Sequence, residues 1–291
     1  MIRCWFSMFL LAILLVGQCF SARSEASRPN FLVIVSDDQR PDTISALGNP
    51  IIETPNLDRL VRRGMTFTRA TCGFPLCVPS RAEILTGVSA LQNRVPYGGG
   101  KLKEGQTFWA EALGQAGYHT WYSGKWMNDG SPKTRGYGET QGLFSSGGAG
   151  FVGKRLRYGR KGRLMTGYQG WTFKSNDGST ELHKGIGLVA ETSKYIADGA
   201  IEFLKRDTEK PFFLHVNFTA PHDPLIVPPE LDGKYDPAEV RIPSNFIPRH
   251  PFDHGNLEGR DERLLPWPRT RKDSRAESRS KEASSFPLSR S

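Results

Sequence analysis

A chain of 291 residues can bury one large core or two smaller ones, and its 37% hydrophobic and 11% aromatic content excludes a disordered protein. The formal net charge of +9 invites a nucleic-acid partner, but part of it sits in residues 269–291, which carry seven Lys/Arg against three Asp/Glu. Those charges lack the aromatic interleaving of a base-stacking groove, so they read as a solvated tail and no nucleic acid is expected.

At the N-terminus, Arg3 precedes an apolar run over residues 5–16, interrupted only by Ser7. A membrane-spanning helix needs roughly 20 apolar residues, so the run is too short to span and fits the core of a secretory signal. Ser24 and Ala26 stand at the small-residue positions, which places cleavage after Ala26. Gln18 argues against a lipid anchor at Cys19, and a buried N-terminal helix is the bland alternative. The expectation is an exported protein, periplasmic or secreted, with no stable membrane anchor. Cys4 and Cys19 fall in the signal, leaving Cys72 and Cys77, which in an oxidising compartment could close a small disulfide loop.

Phe31-Leu32-Val33-Ile34-Val35 is a continuous β-branched run of the kind that forms a strand buried on both faces of a parallel sheet. It ends in Asp37-Asp38, at the sheet edge where open α/β folds bind ligands. By themselves two such carboxylates more often cap a helix or face solvent. Thr54-Pro55 predicts a helix N-terminus, with Leu57, Leu60 and Val61 on one face and Gly64 as its stop. A strand is expected over residues 65–68, a helix over 107–117 and a strand over 119–122. Residues 130–170, rich in Gly, Lys and Arg, read as irregular loops or an insertion. Helical spacing returns over 189–205 through Tyr195, Ile196, Ala200, Phe203 and Leu204, and Phe212-Phe213-Leu214-His215-Val216 is another buried strand, with His215 a core residue. Beyond Pro268 the sequence holds seven serines and only Phe286 and Leu288 as sizeable apolar residues, which predicts a disordered tail or an out-of-frame end.

The segment Cys77-Val78-Pro79-Ser80-Arg81-Ala82-Glu83-Ile84-Leu85-Thr86-Gly87 carries the most specific pattern in the chain. It resembles the C-x-P-S-R-x-x-x-L-T-G motif of the formylglycine-dependent sulfatases, at seven fixed positions over eleven residues. Pro79 suits a helix start, so Cys77 lies at a helix N-terminus, where exposed N–H groups favour an anion. The resemblance implies that a formylglycine-generating or anaerobic sulfatase-maturating enzyme converts Cys77 into an aldehyde. One oxygen of its hydrate would attack sulfur and the other would later expel sulfate. A divalent cation and a guanidinium stabilise such a nucleophile, which gives Asp37, Asp38 and Arg81 their implied roles, Cys77 itself joining the metal ligands after conversion. Oxygen ligands point to Ca²⁺, with Mg²⁺ as the other choice.

Gly124-Lys125-Trp126 and Ala220-Pro221-His222 resemble the family's segments whose lysine and histidine contact the sulfate ester; a lone lysine or histidine would more often be structural. Many members place a histidine two residues after that lysine, where this chain has Met127, with Asn128 or Asp129 as substitutes. Sulfatases also draw an Asp-Asn or Asp-His pair of metal ligands and a second lysine from a later strand. Here only Asp253-His254-Gly255 is similar, and it reads as a substrate-side loop. The resemblance thus covers about residues 29–268, without the family's closing half. It implies an incomplete alkaline-phosphatase-like α/β fold, with a mainly parallel or mixed sheet flanked by helices. Residues 1–26 would be the signal, 27–268 the catalytic part and 269–291 the tail. The implied activity is hydrolysis of a sulfated carbohydrate or aryl sulfate, with an iduronate-sulfatase-like branch as a guess and the basic stretch 154–163 suited to a polyanionic glycan. The alternatives are a phosphonate or phosphodiester hydrolase of the same superfamily and an inactive chain that only binds sulfated glycans.

Overall fold

Among the described residues, five strands form one sheet: β1 (Phe31–Val35), β2 (His119–Trp126), β3 (Glu139–Ser145), β4 (Thr172–Lys174) and β5 (Phe212–Asn217). The computed structural model describes residues 28–95, 101–146, 168, 170–222, 225–236 and 238–240. The expected signal, the basic stretch 154–163, Asp253-His254 and the tail lie outside the described residues. The strand order is β1-β5-β2-β3-β4, with β4 antiparallel to β3 and the other neighbours parallel, so the sheet is mixed as expected.

The helices are α1 (Pro55–Arg63), α2 (Cys77–Thr86), α3 (Ala90–Asn93), α4 (Trp109–Gln115) and α5 (Thr192–Leu204). Successive strand residues point to opposite faces, and the core divides accordingly. Tyr122, Leu143 and Phe213 pack with Ala82 and Leu85 of α2 and Ala110 of α4. Their neighbours Trp121, Phe144 and Leu214 pack on the other face with Ile196, Ala200 and Phe203 of α5. Each fully buried aromatic or aliphatic side chain contributes about 1.5–3 kcal/mol, so the two layers clamp the sheet from both sides.

Several local expectations change. The run expected to be buried on both faces, β1, pairs among the described residues with β5 alone and lies at the edge of the described sheet, with Phe31 41% and Ile34 50% exposed. Residues 65–68 form no strand, because no described strand edge lies beside them, and Met65 is 82% exposed. α1 forms where Thr54-Pro55 places it, yet no residue of it is buried, and the Thr54 hydroxyl bonds to Asp58 Oδ1 at 2.7 Å instead of capping. β2 runs four residues further than expected, to Trp126, and β3 lies inside the stretch read as irregular. Cys72 and Cys77 are both free thiols. No helix among the described residues is long and apolar enough to cross a membrane.

The extension of β2 depends on Gly124. The β2–β3 register shifts between Tyr122 and Gly124, and Gly124 takes a φ of +100° that side-chain-bearing residues rarely adopt. A Cβ there would lie 1.9 Å from the backbone oxygen of Asn217 in β5. Gly124→Ala should therefore lower stability by at least ~2 kcal/mol, since strain and a backbone clash add. Chemical denaturation checks this, and an unchanged midpoint would contradict the close β2–β5 approach.

Candidate active site

The C-terminal ends of β1, β2 and β5 open on one edge of the sheet, the edge where α/β folds bind ligands. Beyond β1 and β5 the two chains stay paired: Phe218 N donates to Val35 O at 2.8 Å, and Asp37 N donates to Ala220 O at 3.0 Å. That pairing ties Asp37 to the Ala220-Pro221-His222 segment, whose Ala220–Pro221 bond is cis. Asp37, Cys77 and His222 each bring a metal-ligating atom within 4.8 Å of the others.

Asp37 is the hub. Its Oδ2 accepts from Lys125 Nζ and, at 3.2 Å, from the Tyr168 hydroxyl, while Arg81 Nη2 lies 3.6 Å away. Its Oδ1 lies 3.6 Å from Cys77 Sγ. The two cations approach from opposite sides. Arg81 comes from α2, on the face with Tyr122 and Phe213, whereas Lys125 alternates with Trp126 and meets Tyr168 of the other core layer. Lys125 is 0% exposed. Burial by itself raises the pKa of Asp37, but Lys125, Arg81 and His222 outweigh it and bring it from 3.8 down to about 2. Burial lowers the pKa of Lys125 against the upward pull of Asp37.

Cys77 is the first residue of α2, whose N-cap Leu76 offers no side-chain cap. The helix begins two residues before Pro79 and ends as expected, at Gly87 in a left-handed conformation. Asn128 donates to Val78 O in the first turn of α2 at 3.1 Å, while Asp129 is taken up by Arg135 at 2.7 Å and by Leu102 N at 3.1 Å. Of the two proposed substitutes for a histidine at Met127, only Asn128 is beside the helix of Cys77, and its amide does not titrate. Asp38 has a left-handed φ of 58°, is exposed, and stands outside the close group of ligating atoms.

Two residues at the site carried no individual signal in the motifs. Tyr168 lies in the stretch read as irregular, and nothing in its sequence surroundings points to it. Asn217 was legible in principle, because His215 and Asn217 alternate as polar residues in an otherwise apolar strand. Arg81 Nη1 donates to Asn217 Oδ1, which leaves Asn217 Nδ2 to donate to Tyr122 Oη and to His215 Nε2, each at 2.9 Å. Burial, and then Arg81, lowers the pKa of His215 to about 3, so its ring is neutral. With Nε2 accepting, Nδ1–H donates to Tyr137 Oη at 2.7 Å. His215 is therefore a core residue, as read, and also the second link in a chain that orients Arg81.

The donor set fits one side of a hard-cation site. Ca²⁺ takes six to eight oxygens; here Asp37 supplies a buried carboxylate, with Cys77 Sγ and a His222 ring nitrogen within 4.8 Å. The described residues form a possible metal-binding group with fewer oxygens than such an ion takes.

Because its folded pKa lies below 3.8, Asp37 gives stability that is present above that value and lost as pH falls through about 2. The loss between about pH 4 and pH 2 should be about 2 kcal/mol in the metal-free protein. Denaturation midpoints for the wild type and Asp37→Asn across that range check it. An identical pH slope in the two proteins would show that folding leaves the Asp37 pKa unshifted.

A family model described as Sulfatase matches residues 29–247. An arylsulfatase from Clostridium perfringens is 31% identical over 233 residues, covering 74% of this chain and 48% of its own length. A solved protein in complex with its substrate D-glucosamine-2-N,6-O-disulfate is 25% identical, with a TM-score of 0.59 over 91% of this chain and 51% of that one. The phosphonate monoester hydrolase of Silicibacter pomeroyi shares the fold at 19% identity, with a TM-score of 0.62 over 90% of this chain and 57% of its own. The chain spans about half the length of the curated relatives it matches. With the matched span holding both the mixed sheet and the cluster on its edge, the chain belongs to the sulfatase family.

Proposed function

We propose that this protein hydrolyses sulfate esters by S–O cleavage at a formylglycine formed from Cys77, with a divalent cation, Ca²⁺ or Mg²⁺, held beside it. The observation that carries the reading is the contact of Cys77 Sγ with Asp37 Oδ1 at 3.6 Å, with Arg81 and Lys125 converging on the same carboxylate. Asp37, Asp38 and the converted residue 77 would hold the cation, whose chemistry is to stabilise negative charge on the attacking and sulfate oxygens. Family membership supports the reaction class. The substrate class, a sulfated carbohydrate or aryl sulfate, draws on the arylsulfatase relative and on the solved complex with a sulfated glucosamine.

Each residue then has a task. Cys77 at the start of α2 sits where uncapped N–H groups and the helix dipole favour negative charge. Arg81, locked by Asn217, presents a fixed guanidinium to the nucleophile and to sulfate. Lys125 would neutralise charge from the opposite face, and His222, beside Asp37 and Cys77, would give a proton to the leaving alcohol. Among the described residues of 125–129, Lys125 is the titratable group beside residue 77, because Asp129 is paired with Arg135. Conversion of Cys77 requires a formylglycine-generating or anaerobic sulfatase-maturating partner. The exported location, with residues 1–26 as signal, 27–268 as catalytic part and 269–291 as basic tail, belongs to the same proposal.

Peptide mass spectrometry of the exported protein should find formylglycine at residue 77, and Cys77→Ala should lower aryl sulfate turnover by at least ~1000-fold. Full activity in that variant would sink the mechanism. Faster turnover of matched phosphate or phosphonate esters would favour the phosphohydrolase alternative, and glycan binding without turnover the binding-only one. Asp38→Ala should weaken divalent-cation binding in calorimetry; unchanged affinity would remove Asp38 from the ligand set.

A further inference from the structure

The Tyr168 side chain stands between three groups assigned to the chemistry, although neither the motif nor the proposed mechanism uses it. Its hydroxyl is 2.5 Å from Lys125 Nζ and 3.2 Å from Asp37 Oδ2, and its ring meets that of His222 edge-on, with centroids 5.3 Å apart at 80°. The residue is buried and belongs to the core layer of Phe144, Leu214 and Phe203. Its φ is +52°, and the described non-glycine residues with positive φ are Asp38, Arg94 and Tyr168, two of them beside the cluster. A bulky residue in that region is strained, and such strain persists where the surroundings over-determine the conformation.

The hydrogen-bond inventory gives the hydroxyl a definite task. A lysine ammonium has three N–H donors and no acceptor. In Lys125 one goes to Asp37 and one to Tyr168. The Tyr168 hydroxyl accepts from Lys125 and donates its own O–H to Asp37, so the three groups close a ring. With two donors anchored, tetrahedral geometry sets the direction of the third. One anchor alone would leave the ammonium free to turn about the Asp37 contact.

We propose that Tyr168 is a positioning residue for sulfate-ester hydrolysis, which holds the Lys125 ammonium so that its remaining N–H faces the sulfate bound at residue 77. The inference rests on the sulfatase reading for its functional meaning, and on the hydroxyl bridge for its structural one. Tyr168 acts through Lys125 and need not touch substrate. Loss of the bridge should therefore lower kcat more than it raises KM.

Tyr168→Phe, which keeps the ring and removes the hydroxyl, tests this in the exported protein carrying formylglycine. With 4-nitrophenyl sulfate as probe, kcat should fall about tenfold, the effect of losing one hydrogen bond to a charged group, with KM changed less than about threefold. A pulse of acetic anhydride read by peptide mass spectrometry gives a measure free of turnover, in which Lys125 should label at least ~5-fold faster in Tyr168→Phe while other lysines keep their rates. Replacement of Tyr168 by 3-fluorotyrosine keeps the hydroxyl and should restore both readouts. This second variant decides the matter if Tyr168→Phe does not fold, because a normal kcat with fast Lys125 labelling would then overturn the proposal. Unchanged kcat and unchanged labelling in folded Tyr168→Phe would overturn it directly. If the wild type turns over no sulfate ester, the sulfatase reading fails, while faster labelling in Tyr168→Phe would still establish the Tyr168–Lys125 bridge.

Discussion

One buried carboxylate governs the arrangement of this protein's sheet edge. Asp37 is nearly inaccessible to water, and an ionised group in that position is tolerated only with close partners. Lys125 and Arg81 supply the charge from opposite faces of the sheet, and Tyr168 and Cys77 complete its surroundings. Removing any one partner leaves the others buried and under-compensated, so the cluster holds as a unit.

Behind the charges runs a directed polar chain that makes their positions reproducible. Trp109 Nε1 donates to Tyr137 Oη at 2.9 Å, which also accepts from His215. His215 accepts from Asn217, whose carbonyl accepts from Arg81. Arg81 cannot accept, so it fixes the orientation of Asn217 and, through Nδ2, the tautomer of His215. A flipped amide would set donor against donor at Arg81. Tyr122 branches from the chain and donates to the backbone oxygen of Lys125, so the supports of Arg81 and of Lys125 share Asn217. Such networks are stable when every member is satisfied and costly when one is not.

The apolar core serves this geometry. Alternation along β2 and β5 sends Trp121 and Leu214 to one layer and Tyr122 and Phe213 to the other, so both faces are clamped and the strand ends stay level. Gly124 lets β2 approach β5 closely one residue before Lys125. Among the described strands β1 lies at the outer edge, with Phe31, Leu32 and Ile34 exposed and none of its residues buried; burial is reached at Asp37, two residues beyond it.

The sequence by itself determined the family, the α/β class and five of the residues in the cluster, because short motifs act through the backbone next to them. Cys77 and Arg81 are one helical turn apart, Asp37 and His222 follow strands whose apolar runs are legible, and Lys125 stands in its own motif near the end of β2. Helix α5 and strand β5 were legible for the same reason, being long and strongly periodic. Burial of β1 was misjudged because a β-branched run records strand propensity but not which neighbours the strand acquires. Tyr168 and Asn217 join the cluster only through contacts across 43 and 136 positions of the chain. Local spacing carries no information about such partners. Tertiary structure alone decided that Lys125 and Arg81 meet Asp37 from opposite faces, since that depends on strand order and on a register shift at one glycine.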